Sequence, residues 1–203
     1  LTKLTKLYLY GNHLTDVSGL EKLPELTWLE LGGNQLADIP KGLEKLTQLK
    51  VLWLSDNQLT DVSDLEKLPK LMNLYLNNNE LTDVKGLEKL TQLTRLTLRD
   101  NQLTNVKGLE KLTQLEVLML GDNKLADIMG LEKLTQLKHL ELDNTQLTEV
   151  PKEPENLKKL ETLSLENNQL TSVKGLEKLT QLKVLDLSNN KLTDVKGLER
   201  FLK

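Results

Sequence analysis

Two histidines, His13 and His139, are the only imidazoles in the 203-residue chain, and it has no cysteine. A Cys nucleophile, a thiolate metal site and a disulfide are therefore excluded, while a cysteine-free chain tolerates reducing and oxidising compartments alike. His139 stands near Glu116, Glu141 and Asp143, which are metal-ligating residue types. One imidazole among scattered carboxylates lacks the ligand set of a zinc site, so these residues read as an exposed ionic cluster. The Asp-Asn pairs at 56–57, 100–101 and 122–123 carry oxygen ligands without the spacing of a calcium loop. The two histidines are far apart in sequence, and neither sits near a serine in a strained turn, so a Ser/His/Asp mechanism finds no support. We expect no catalytic residue, no cofactor and no metal. The chemistry left is recognition: Tyr8, Tyr10, Trp28, Trp53, Tyr75, Arg95 and Arg99 are the residue types that dominate binding hot spots.

What positions them is a repeat. The pattern L-x-x-L-x-L-x-x-N-x-L begins at Leu4, Leu26, Leu49, Leu71, Leu93, Leu115, Leu137, Leu160 and Leu182, in steps of 22 or 23 residues. In each unit the L-x-L core, such as Leu52-Trp53-Leu54, alternates inward and outward with period two and reads as a short strand. Asn12, Asn34, Asn57, Asn79, Asn101, Asn123, Asn168 and Asn190 follow where the chain must turn. Stacked amides there can satisfy the backbone groups of neighbouring turns. The octet G-L-E-K-L-T-Q-L recurs unchanged at 42–49, 86–93, 108–115, 130–137 and 175–182. Its leucines, three apart with charges between, suit a short helix with one buried face. A single repeat cannot bury its leucines alone, so stacking supplies the core, and residues 1–203 read as one domain of nine repeats.

This 22-residue unit, L-x-x-L-x-L-x-x-N-x-L-x-D-V-x-G-L-x-x-L-x-x, resembles the short leucine-rich repeats of bacterial internalins. It is similar also to the leucine-rich regulatory subunit of protein phosphatase-1. The resemblance implies an α/β leucine-rich-repeat solenoid, with a curved parallel sheet on the concave side and short helical or 3₁₀ segments on the convex side. It further implies ligand binding on the concave side and no catalysis, while leaving the ligand open.

The chain departs from the pattern in places. Pro40 accompanies the one-residue expansion of the second unit, and Pro151 and Pro154 that of the seventh, where Val150-Pro151-Lys152-Glu153-Pro154-Glu155-Asn156 displaces the usual Gly-Leu. Proline resists a helix interior, so an irregular outer turn is expected near 151–156. Thr145 stands where every other repeat has Asn. Neither end shows a cap with a polar outer face, and terminal repeats are expected to fray before the middle. Near-identical octets with abrupt ends fit a designed array, a recent duplication or an excised fragment equally.

Function should be written where the repeats differ. The outward positions of each strand form three columns. The first runs Lys6, Trp28, Val51, Asn73, Arg95, Val117, His139, Thr162 and Val184. The second runs Tyr8, Glu30, Trp53, Tyr75, Thr97, Met119, Glu141, Ser164 and Asp186, and the third Tyr10, Gly32, Ser55, Asn77, Arg99, Gly121, Asp143, Glu166 and Ser188. These columns hold five of the six aromatics; the sixth, Phe201, replaces a core leucine. Strand propensity would spread aromatics along all nine strands, yet they stop after the fourth, which favours an interaction site over sheet stabilisation. Strands lie about 4.8 Å apart, so Trp53 and Tyr75 should touch laterally, and Tyr8 to Arg99 spans roughly 19 Å.

Charge divides the same face. The first five strands carry Lys6, Arg95 and Arg99 against Glu30, and the last four carry Glu141, Asp143, Glu166 and Asp186. Over the whole chain, 27 Lys plus Arg nearly balance 30 Asp plus Glu, which argues against a phosphate backbone and so against nucleic acid as main partner. No apolar run approaches the roughly 18–20 residues of a membrane span. A protein or peptide on the concave face, held by the seven aromatic and arginine residues, is the reading preferred. Two alternatives stay open: a glycan stacked on the Trp and Tyr faces, or a bare scaffold with no ligand of its own.

Overall fold

The computed structural model describes residues 2–126 and 128–199. Nine three-residue strands form one parallel sheet in sequential order: β1 Lys6–Tyr8, β2 Trp28–Glu30, β3 Val51–Trp53, β4 Asn73–Tyr75, β5 Arg95–Thr97, β6 Val117–Met119, β7 His139–Glu141, β8 Thr162–Ser164 and β9 Val184–Asp186. The sheet curves without closing. Every strand pairs with the next in the register of the repeat, Leu7 with Leu29 and Leu52 with Leu74, so equivalent residues line up across the solenoid.

The inward leucines form one continuous core. In the middle repeats Leu49, Leu52, Leu54, Leu59, Leu65 and Leu68 are essentially inaccessible, whereas Leu4, Leu7, Leu9 and Leu14 of the first repeat are only partly covered. The asparagine column works as the repeat pattern implies. Asn57 Nδ2 donates to the carbonyls of Leu31, Leu54 and Ser55, and its Oδ1 accepts the Leu36 N–H at 3.0 Å. One amide thus ties two repeats and satisfies four backbone groups that the turn would otherwise bury unpaired.

On the convex side the recurring octet makes a 3₁₀ turn of three residues, as in Leu87–Lys89, and no α-helix occurs among the described residues. The octet's fixed start has a local cause. The glycine enters with positive φ (92° at Gly86), and a Cβ there would lie 2.6 Å from Ser63 Cα. Its N–H is then capped by the glutamate two residues on, Glu88 Oε2 at 2.7 Å. The same Gly–Glu bond recurs at Gly42, Gly108, Gly130 and Gly175.

The seventh repeat is more regular than its prolines suggest. A 3₁₀ turn forms at Pro154–Asn156, with Pro154 buried and Glu153 taking the left-handed place of the glycine at φ 48°. Proline is tolerated at the first position of such a turn, where its missing N–H is not needed. Pro40 and Pro151 both lie outside any strand. Phe201, noted above as a substitute for a core leucine, lies outside the described residues.

Candidate functional site on the concave face

The parallel register sets the outward columns side by side, and β1 to β4 carry an aromatic band. Trp53 and Tyr75, partners across β3 and β4, stack with ring centroids 4.1 Å apart and planes at 14°. That separation is below the strand spacing, so the rings lean together and stand on the sheet with their edges outward. Tyr8 and Trp28 form a looser, tilted pair at 6.3 Å. Lys6 Nζ lies 5.5 Å from the Trp28 ring, and Trp28 Nε1 donates to Glu30 Oε1 at 2.9 Å. Gly32 lets a fifth ring, Tyr10, approach Trp53. A Cβ at this position would lie 3.0 Å from both Tyr10 Cδ2 and Trp53 Cδ1, so the missing side chain is the space into which the two rings converge.

Exposure within the band is graded. Tyr8 and Tyr10 are 58% and 59% exposed, while Trp28, Trp53 and Tyr75 are half-buried by their neighbours. Five aromatic side chains thus gather within four strands. Thr97, next across the sheet from Tyr75, is buried, and its hydroxyl has no hydrogen-bond partner.

Beyond Thr97 the face changes character. Arg99 donates to Asp122 Oδ2 at 2.8 Å and pairs with Glu141 on β7, two strands away. The reach is open because Gly121 lies between, where a Cβ would collide with Glu141 Oε1 and come within 3.5 Å of Arg99 Cζ. Burial works against the Arg99 charge, but Asp122 and Glu141 outweigh it and hold the guanidinium above its ordinary value. Burial pushes the Glu141 carboxyl above the usual carboxylate range, with Arg99 pulling down and Asp143 pushing up.

The two arginines expected to meet a partner therefore differ. Arg99 is engaged within the protein, whereas Arg95 makes no ion pair among the described residues and borders a hollow of 420 Å³ over β5 to β8. Neither the hollow nor the Arg99 bridge was visible in the repeat pattern; the glycines at 32 and 121, the only ones in the outward columns, were the available signal. His139 is exposed on the hollow's rim, and no group of three or more His, Cys, Asp or Glu residues gathers at metal-binding distance among the described residues. Among the described residues no helix is long and apolar enough to cross a membrane.

Comparison with known proteins agrees with this architecture. The family profile described as Leucine Rich repeats (2 copies) matches residues 2–45, 24–67, 47–89, 69–111, 91–133, 113–159, 135–170 and 158–200. Among solved structures, an internalin (inlF) from Listeria monocytogenes is 29% identical with a TM-score of 0.80, over 98% of this chain and 65% of that one. Internalin C2 from the same organism is 32% identical with a TM-score of 0.86, over 93% of this chain and 80% of that one. The ectodomain of the Arabidopsis thaliana receptor kinase GASSHO1/SCHENGEN3, in complex with Casparian strip integrity factor 2, is 30% identical with a TM-score of 0.80, over 94% of this chain and 25% of that one. The chain thus spans just under two thirds of the first of these proteins and a quarter of the last. Comparison with curated protein sequences found no match. Profile, register and internalin-like repeats agree, and the chain belongs to the leucine-rich-repeat family.

Proposed function

We propose that the chain is a non-catalytic binding module that holds a protein or peptide on its concave face, across β1 to β5. The observation that carries this reading is the aromatic band. Trp and Tyr side chains left on an open face gain little for folding, and a contiguous cluster of them usually marks an interaction site. Tyr8, Tyr10, Trp28, Trp53 and Tyr75 supply that surface, with Arg95 at its edge. Arg99 supports the floor beside it through Asp122 and Glu141. The plant receptor ectodomain, solved with a bound factor, lends support from a relative of the same fold.

A glycan fits this band less well than a protein partner does. Sugar rings stack on exposed aromatic faces, and Trp53 and Tyr75 turn a face of each ring toward the other. Selection of displayed random peptides on the native protein, beside a glycan array, tests the reading. Peptides should enrich, and Trp53→Ala should weaken them by about 30-fold, the ~2 kcal/mol of a hot-spot aromatic. Enrichment indifferent to Trp53→Ala, or binding on the glycan array alone, would overturn it.

A further inference from the structure

The hollow over β5 to β8 is built differently from the aromatic band beside it. Its floor is the sheet itself, at Leu118 and Leu140. Val117 and Met119 on β6 give it an apolar side, and the small Thr162 and Ser164 on β8 leave it open. Arg95 stands where the strands begin, and Glu141 and Asp143 stand toward their ends. The local charge does not balance there. Arg99 pairs with Asp122 and Glu141, and Asp143 adds a third carboxylate that acts on Glu141. Asp143 spends one oxygen on the Glu166 N–H at 3.0 Å and has no cationic partner among the described residues.

Apolar walls leading to surplus carboxylate match one kind of side chain closely. A lysine or arginine carries an aliphatic stem and a cationic tip, and buries the first while pairing the second. We propose that this hollow receives a Lys or Arg side chain of the bound partner, stem against Val117 and Met119, cation on Asp143 and Glu141. The inference rests on the reading of the concave face as a protein-binding surface and adds the partner's chemistry at that face's C-terminal half. Arg95, at the opposite end, repels a cation and so fixes which way the stem runs. A cation on Glu141 also relieves the burial that lifts its pKa. The partner that fits is therefore apolar or aromatic where it meets β1 to β4 and basic where it meets β6 and β7.

The hollow can be probed without the partner. In protein labelled with ¹³C-methyl methionine, titration with n-butylguanidinium at constant ionic strength should shift Met119 and leave Met72 and Met129 in place. Sodium butyrate should shift none of them. Asp143→Asn keeps the oxygen that accepts the Glu166 N–H while removing the charge, and should raise the half-saturation concentration at least fivefold. Asp194→Asn, which removes the same charge from the outer turn of the ninth repeat, should leave it unchanged. Peptides selected by display on the native protein should carry Lys or Arg, and selection on Asp143→Asn should lose that preference. No Met119 response, an equal response to butyrate, or an Asp143→Asn curve matching the native one overturns the proposal. Such a failure leaves the aromatic band untouched if Trp53→Ala still abolishes peptide enrichment.

Discussion

The first four strands and the next three share one backbone, one register and one leucine core, yet they use their open faces in opposite ways. Over β1 to β4 the outward side chains pack on each other, ring against ring, with the outermost tyrosines left well exposed. Over β5 to β7 they are tied by charge, Arg99 to Asp122 and Glu141, around a hollow that no side chain fills. Each arrangement depends on a glycine in the third outward column, Gly32 under the rings and Gly121 under the ion pair. A solenoid's face is thus set by the gaps in a column as well as by the residues that fill it.

Substituting one residue in each region should separate recognition from stability. Trp53→Ala should cost peptide binding ~2 kcal/mol or more, and folding about 1 kcal/mol from the lost ring stack. Arg99→Ala should do the reverse. It leaves the half-buried Glu141 beside two uncompensated carboxylates, and should destabilise the fold by about 1–2 kcal/mol after allowance for solvent screening. Denaturant melts and affinities measured on both variants would erase the contrast if the two proved interchangeable.

Gly121→Ala tests the gap itself. Its methyl would displace Glu141 from Arg99 and cost about 1 kcal/mol, an effect that should shrink sharply in an Arg99→Ala background. Additive effects of the two changes would mean that Gly121 serves the backbone rather than the ion pair.

Thr145→Asn sharpens the contrast from below the face. Thr145 is fully buried, and its hydroxyl reaches Leu142 O and Asn168 but makes no bond back to the sixth repeat among the described residues. An asparagine there would carry the ladder backward, as Asn123 does to Leu98 and Leu103. We expect a gain of about 1 kcal/mol. Unchanged or reduced stability would show that the Thr145 pocket has closed around the smaller side chain.

The smallest effect should be in pH dependence. The folded Glu141 pKa is raised above its unfolded value, so its contribution to stability is fully present below the unfolded pKa and is lost as pH rises through the folded one. Stability of the native protein relative to Glu141→Gln should therefore fall across a window that opens near the ordinary glutamate value and extends upward. A difference that grows with rising pH would reverse the sign and point to Arg99 as the dominant influence.

The repeat made the backbone legible. Fixed spacing set the register, and the register placed Trp53 against Tyr75, because equivalent positions of neighbouring units become lateral partners in a parallel sheet. The sequence misled at 151–156, where two prolines looked disruptive. Pro154 instead occupies the first position of the turn, and Glu153 accepts the backbone conformation the missing glycine would have taken. Arg99 could not be resolved from its column, because its partners lie one and two strands away and reach it only across Gly121. The hollow depends on side-chain volume in four adjacent strands at once, which no single repeat encodes.

Uniform register has a consequence for how such a face can be altered. Gaining or losing one whole repeat moves everything beyond it by a single strand spacing, about 4.8 Å, and leaves every inward contact of the same kind as before. The stretch between Tyr75 and Met119 is then a vernier. Genetic duplication of the unit there would move the aromatic band and the hollow apart in fixed increments, matching longer ligands with neither site redesigned, whereas its deletion would take Arg95 and Arg99 away with it.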